Sequence, residues 1–268
     1  MESLLGALTG RLVSILGAEA FSLYVHGSVV LGDFRPGWSD IDILCLTEAP
    51  LSPCQAEHLL HLRQELATEH NDPGFRLLEG GTLSLEAFLD ASPTQAVYWG
   101  TGGGHLAETY ALDPFSCQIL LDSGRLVYGK EIRPALTPPA MADIHRAIAA
   151  HLQVTQRFGA SPGPSIHGAG WMLDTARGLY TLHTGHIAAK TMAGEWALRE
   201  QLVPAPAVLE RVLAIRRSPL LYADDADTLV WISSIGPAIL SFAAVLEAAL
   251  PAFDPETNPE ISFPGGTL

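Results

Sequence analysis

The sequence predicts an α+β chain in which a mixed-sheet domain is followed by an all-helical bundle. Before residue 135, short aliphatic runs of strand length alternate with stretches of helical spacing; after it, every legible segment is helical. Between the two regimes stands LTPP (136–139), the strongest break in the chain. The domains are accordingly placed at 1–134 and 135–268. Hydrophobic residues make up 48% of the 268, which is enough to fill a core and excludes a disordered chain.

The elements follow in order. MESLLGALTGRLVSILG reads as an amphipathic helix, without the cationic start and small-residue cleavage site of an export signal. Residues 20–27 (AFSLYVHG) form a short buried strand that enters a Gly-Ser turn, and a helix opens at Val29. Residues 40–47 (DIDILCLT) form a second strand. The stretch 52–70 is a helix, with Ser52 as its cap and Pro53 in its first turn. NDPG ends it, and 75–85 (FRLLEGGTLSL) is a third strand. The region 87–112 is left unassigned, with WGTGGG (99–104) read as a mobile loop. A helix and a strand follow within 113–129. Helices are then expected at 140–158, 168–184, 189–202, 205–217 and 226–250.

One stretch of the last helix, 228–246, carries no charge over a length that almost spans a bilayer. Pro237 and several serines interrupt it, and no Lys or Arg follows Arg217 to anchor an interface, so it is read as a buried core helix and no membrane partner is expected. The net charge of −14 repels phosphate backbones, which argues against nucleic acid and favours small polycations. Cys45, Cys54 and Cys117 form no CxxC pair and leave an odd one over. They are expected to be reduced, buried thiols of a cytoplasmic protein.

The stretch that carries chemistry is YVHGSVVLGDFRPGWSDIDILCL, residues 24–46. Gly27 and Ser28 follow a strand and precede a helix. There a glycine lets backbone N–H groups approach a phosphate and the serine hydroxyl adds a donor. Twelve residues beyond Ser28 come Asp40 and Asp42. Two apart on a strand, they point to one face and offer two hard oxygen ligands, which suits Mg²⁺ held together with the phosphates of ATP.

Gly-Ser after a strand, about a dozen residues, then Asp-Ile-Asp heading an apolar strand resembles the nucleotidyltransferase superfamily that includes DNA polymerase β, kanamycin nucleotidyltransferase and the aminoglycoside adenylyltransferases. The segment 173–198 (LDTARGLYTLHTGHIAAKTMAGEWAL) is similar to the helical domain of streptomycin/spectinomycin 3″-type adenylyltransferases, matching at Leu173, Arg177, Tyr180, Thr184, Gly185, Ile187, Lys190, Ala193, Trp196 and Ala197. The resemblance implies a polymerase β-like catalytic domain before the helical one, with the active site in a cleft between the two. It also implies that Lys190 contacts the ATP phosphates. Arg177 is a second nucleotide-binding candidate, or else pairs with an acid inside the bundle.

The implied reaction is Mg²⁺-dependent transfer of AMP from ATP to a hydroxyl of an aminoglycoside-like molecule, releasing pyrophosphate, as in antibiotic resistance. The superfamily supplies a third carboxylate as base, and Glu79 occupies its place, with Glu86 and Glu108 as alternatives. The chain departs from the 3″-type enzymes at 158–170 (FGASPGPSIHGAG), which has no acid to grip a drug's amines. Streptomycin is therefore expected to be a poor acceptor, the true one being another cationic or polyhydroxylated small molecule with contacts from 87–112. Two other functions stay open: the same chemistry on a natural-product intermediate or a protein hydroxyl, and an antitoxin-like nucleotide-binding regulator without turnover.

Overall fold

The computed structural model describes Met1–Pro251; the remainder of the predicted helical domain, 252–268, lies outside the described residues. The chain forms two compact units. Of the described residues, one comprises Met1–Val30 and Asp40–Pro138, the other Leu31–Ser39 and the chain from Pro139 to Pro251. The linker 31–39 thus belongs to the helical unit, a division that no single cut can express.

The first unit runs α1 (Glu2–Leu16), β1 (Phe21–Val25), α2 (Gly27–Val30), β2 (Ile41–Thr47), α3 (Pro53–Glu69), β3 (Leu78–Ser84), α4 (Leu85–Asp90), β4 (Ala96–Gly100), β5 (Gly103–Ala107), α5 (Pro114–Ser123) and β6 (Arg125–Tyr128). Its six strands make one mixed sheet in the order β5-β4-β3-β2-β1-β6. Only β2 and β3 are parallel, because α3 provides the crossover between them; the other neighbours are antiparallel. Ser52 caps α3 in a reciprocal arrangement with Gln55, and Pro53 fills its first turn.

Both faces of the sheet are covered, which is why β1 and β2 read as nearly unbroken apolar runs. On one face Tyr24, Leu44, Leu46, Leu83, Ala96, Leu120 and Ile132 form a buried cluster. Leu5, Leu8 and Leu12 of α1 and Leu59, Leu62 and Leu66 of α3 are buried as well, and the indole of Trp99 donates to the carbonyl of Leu59 at 2.9 Å.

The unassigned region contains α4 and a β4–β5 hairpin. WGTGGG is no loop: Thr101 and Gly102 form a two-residue turn between paired strands, with Trp99 opposite Gly104. Glycine at strand positions conceals the alternation of AVYWG from the sequence pattern.

The second unit consists of α6 (Met141–Phe158), α7 (Gly170–Thr184), α8 (Lys190–Arg199), α9 (Pro206–Arg217), α10 (Pro219–Tyr222), α11 (Ala226–Ser234) and α12 (Gly236–Ala249), packed with Leu31–Ser39. The single helix expected at 226–250 is two, bent by 48° at the break before Gly236 and Pro237. Among the described residues no single helix is long and apolar enough to cross a membrane, although this bent pair passes by length and composition. Ile239, Phe242, Ala243 and Leu246 of α12 are buried within the unit. Of the cysteines, which are all free thiols, only Cys45 is buried; Cys54 is exposed on α3 and Cys117 intermediate on α5, contrary to the expectation for all three.

Candidate active site

β1 ends where β2 and β3 begin, so the chain delivers His26-Gly27-Ser28, Asp40, Asp42 and Glu79 to one end of the sheet. The amide of His26 donates to the carbonyl of Asp42 at 3.0 Å. Asp42 stands directly beside Glu79 in the parallel pair, so their side chains leave the same face. At the ~4.8 Å spacing of neighbouring strands and an effective dielectric of about 20, two such charges repel by about 3 kcal/mol. Such a cluster has to be offset by cations.

One cation is Arg63 of α3. Its guanidinium donates to the carbonyls of Leu78 (2.7 Å) and Gly100 (2.8 Å), tying α3 to the start of β3 and the end of β4. Burial lowers its pKa, while Glu79 and Asp40 raise it. The Tyr98 hydroxyl on β4 donates to Oε1 of Glu79 at 2.6 Å. Burial, that hydrogen bond and the charges of Glu79, Asp40 and Asp42 keep the phenol protonated, so it remains a donor. Neither Arg63 nor Tyr98 is identifiable in the sequence, because both reach the carboxylates through strand register.

Gly27 has φ +64°, and a Cβ there would overlap the carboxylate of Asp42. The backbone of the Gly-Ser turn therefore packs directly on the acid, which no other residue type allows. Gly27→Ala should lose at least about tenfold in AMP transfer. The left-handed backbone costs about 1–2 kcal/mol with a side chain present, read as a fall of a few degrees in melting temperature. An unchanged kcat would mean that the contact does not matter for chemistry.

The hydroxyl of Ser28 is buried and makes no hydrogen bond within the chain, as an acceptor-seeking donor beside a phosphate site would. His26 is 4% exposed, and burial holds its pKa down to about 4 despite Asp113 and the Ile43 backbone, so its ring is neutral. Among the described residues no group of three or more His, Cys, Asp or Glu is disposed to hold a metal. Asp40 and Asp42 provide two carboxylates, so the donors completing a Mg²⁺ shell would be phosphate and water.

The alternatives to Glu79 lie elsewhere. Glu86, exposed in the first turn of α4, follows the far end of β3, roughly 16 Å of strand from Glu79 at ~3.3 Å per residue. Glu108 follows β5, whose last residue pairs with the first of β4, also at the end away from Asp42.

In the helical unit, Lys190 and Arg177 share one acid, Asp174 of α7. Lys190 Nζ contacts Oδ1 at 2.8 Å and Oδ2 at 3.1 Å, and Arg177 Nη2 lies 3.4 Å from Oδ1. His151 Nε2 is 3.7 Å from Oδ2. Although burial favours its neutral form, Asp174 is held well below the usual carboxylate range by Lys190, His151 and Arg177. Lys190 is the first residue of α8, within the helix expected at 189–202.

Mixed sheet, Gly-Ser turn and paired aspartates define a nucleotidyltransferase domain, and residues 11–72 match the family model described as nucleotidyltransferase domain. Apart from the linker 31–39, the match lies within the first unit, across the Gly-Ser turn and the paired aspartates. A search of curated proteins by sequence finds no match. Among solved structures the chain is similar to the spectinomycin adenyltransferase AAD(9) from Enterococcus faecialis, determined with ATP and spectinomycin. The TM-score is 0.62 and the identity 17%, over 91% of this chain and 98% of that one. The likeness is one of fold, extending over both the mixed sheet and the helices.

Proposed function

We propose that the chain transfers AMP from ATP to a hydroxyl of an aminoglycoside-like small molecule and releases pyrophosphate. The observation that carries this reading is the convergence of Gly27-Ser28, Asp42 and Glu79 at one sheet end, with Asp42 and Glu79 paired in register. The Gly27-Ser28 turn holds phosphate oxygens through backbone N–H groups and the Ser28 hydroxyl. Asp40 and Asp42 would hold Mg²⁺, which would supply positive charge against the phosphates. The acceptor oxygen attacks the α-phosphorus in line, the bond from that phosphorus to the pyrophosphate oxygen breaks, and the hydroxyl proton passes to Glu79. Tyr98 engages one carboxylate oxygen of Glu79 and leaves the other for that proton. Lys190, and with it Arg177, adds positive charge for the triphosphate.

For the acceptor, the structural neighbour solved with spectinomycin makes an aminocyclitol the first candidate. Streptomycin should be poor, because 158–170 offers no carboxylate for its guanidinium groups. At roughly 1.5–3 kcal/mol per charge-assisted hydrogen bond, two missing acids weaken binding by at least about a hundredfold. The test is pyrophosphate release and acceptor mass with purified protein, Mg-ATP and a panel containing spectinomycin, streptomycin and other aminoglycosides. The reading requires adenylylation of some panel member, with streptomycin slower. ATP binding without turnover on any of them would point to another acceptor or to a regulator.

A further inference from the structure

Helix α8 begins with Lys190, yet it has no cap of its own: Ala189 stands at the N-cap with no side-chain acceptor. The acceptor arrives from Asp33, far away in the chain but within the same unit. The Thr191 amide donates to Asp33 Oδ2 at 3.2 Å, and the Thr191 hydroxyl donates to Oδ1 at 2.7 Å. A free N–H of the first turn is thereby satisfied by a carboxylate, the arrangement that a helix N-terminus favours most.

Asp33 is itself held from several directions. Arg216 of α9 donates to Oδ2 through Nη2 (2.8 Å) and Nε (3.3 Å), and to the Asp33 carbonyl at 3.3 Å. Arg35 Nε lies 3.3 Å from Oδ1. Trp38 packs against the Arg216 guanidinium at 5.5 Å from its ring centre. The side chains of Asp33 and Arg216 are 4% and 2% exposed. Burial opposes the charge on Asp33, but its bonds to Thr191 and Arg216 outweigh that and keep it ionised.

From this capped turn Lys190 extends to Asp174. A lysine side chain carries about 2 kcal/mol of rotamer entropy, so its usefulness as a phosphate ligand depends on how firmly its base is placed. We propose that Asp33 is a positioning residue for Lys190: by capping the first turn of α8 it sets where the ammonium stands for the nucleotide. The same linker covalently joins Ser28 to Asp40, so the segment between the two active-site motifs also fixes the lysine's helix. The inference rests on the reading of Lys190 as a nucleotide ligand.

The experiment is a double-mutant cycle on the full chain, with KM for ATP, kcat and melting temperature measured for Lys190→Ala, Asp33→Asn, Thr191→Val and the double variants with Lys190→Ala. Lys190→Ala and Asp33→Asn should each raise KM for ATP about tenfold with kcat changed less than about threefold, and combining them should add under about twofold. Thr191→Val leaves the Asp33–Arg216 pair intact and should raise KM about threefold, again without adding to Lys190→Ala. It decides the matter if Asp33→Asn does not fold. An unchanged KM in Lys190→Ala would overturn the nucleotide reading of the lysine, and the positioning with it. A raised KM in Lys190→Ala alone, or effects that multiply in the double variants, would leave Asp33 a purely structural residue and defeat the proposal.

Discussion

Asp42→Asn is expected to lower AMP transfer by at least about 10³-fold, since losing one of two carboxylate ligands forfeits several kcal/mol of charge stabilisation. The fold should survive, because the substitution is nearly isosteric. It also leaves the main-chain acceptor for His26 and the register with β3 in place. Removing one of two adjacent like charges relieves about 3 kcal/mol of repulsion at an effective dielectric of 20. The melting temperature should therefore lie near or above that of the parent. Turnover within tenfold of the parent would remove Asp42 from the metal site and, with it, the proposed chemistry.

Glu79→Gln should lower kcat by about 10²–10⁴-fold, the range of a positioned general base. The amide oxygen can still accept from Tyr98, so the geometry persists while the proton acceptor is lost. ATP affinity, measured by calorimetry or fluorescence, should change less than about threefold, because the phosphates are held by other groups. Glu86→Gln and Glu108→Gln act as controls and should leave kcat unaltered, both lying at the other end of the strands. A Glu79→Gln variant retaining a third of parental turnover would reassign the base.

The readable part of the site is local. Gly27, Ser28, Asp40 and Asp42 lie within sixteen residues, Asp42 on β2 and Asp40 immediately before its first residue, so their spacing alone marks the site. Glu79 is legible by its place in the next strand, although choosing it over Glu86 and Glu108 requires the parallel register. Arg63 and Tyr98 are invisible in the sequence, because their relation to Glu79 exists only after α3 and β4 dock beside β3. Asp174 lies inside the motif that marks its neighbours Arg177 and Lys190, but nothing in the pattern singles it out. The Asp33–Arg216 pair spans 183 residues, and no periodicity reports a contact of that kind.

The linker Leu31–Ser39 sets a rule for recombination. A chimera made with a single crossover at 138 would join one parent's linker to the other parent's α8 and α9, and so mismatch the partners of Asp33. An Arg216 left buried without its carboxylate costs roughly 3–5 kcal/mol, which is much of a typical domain's stability. Shuffling with related enzymes would therefore need three junctions, with 31–39 inherited together with the helical unit. The two units are therefore not separable cassettes: the nine residues between the active-site motifs fold as part of the helical unit.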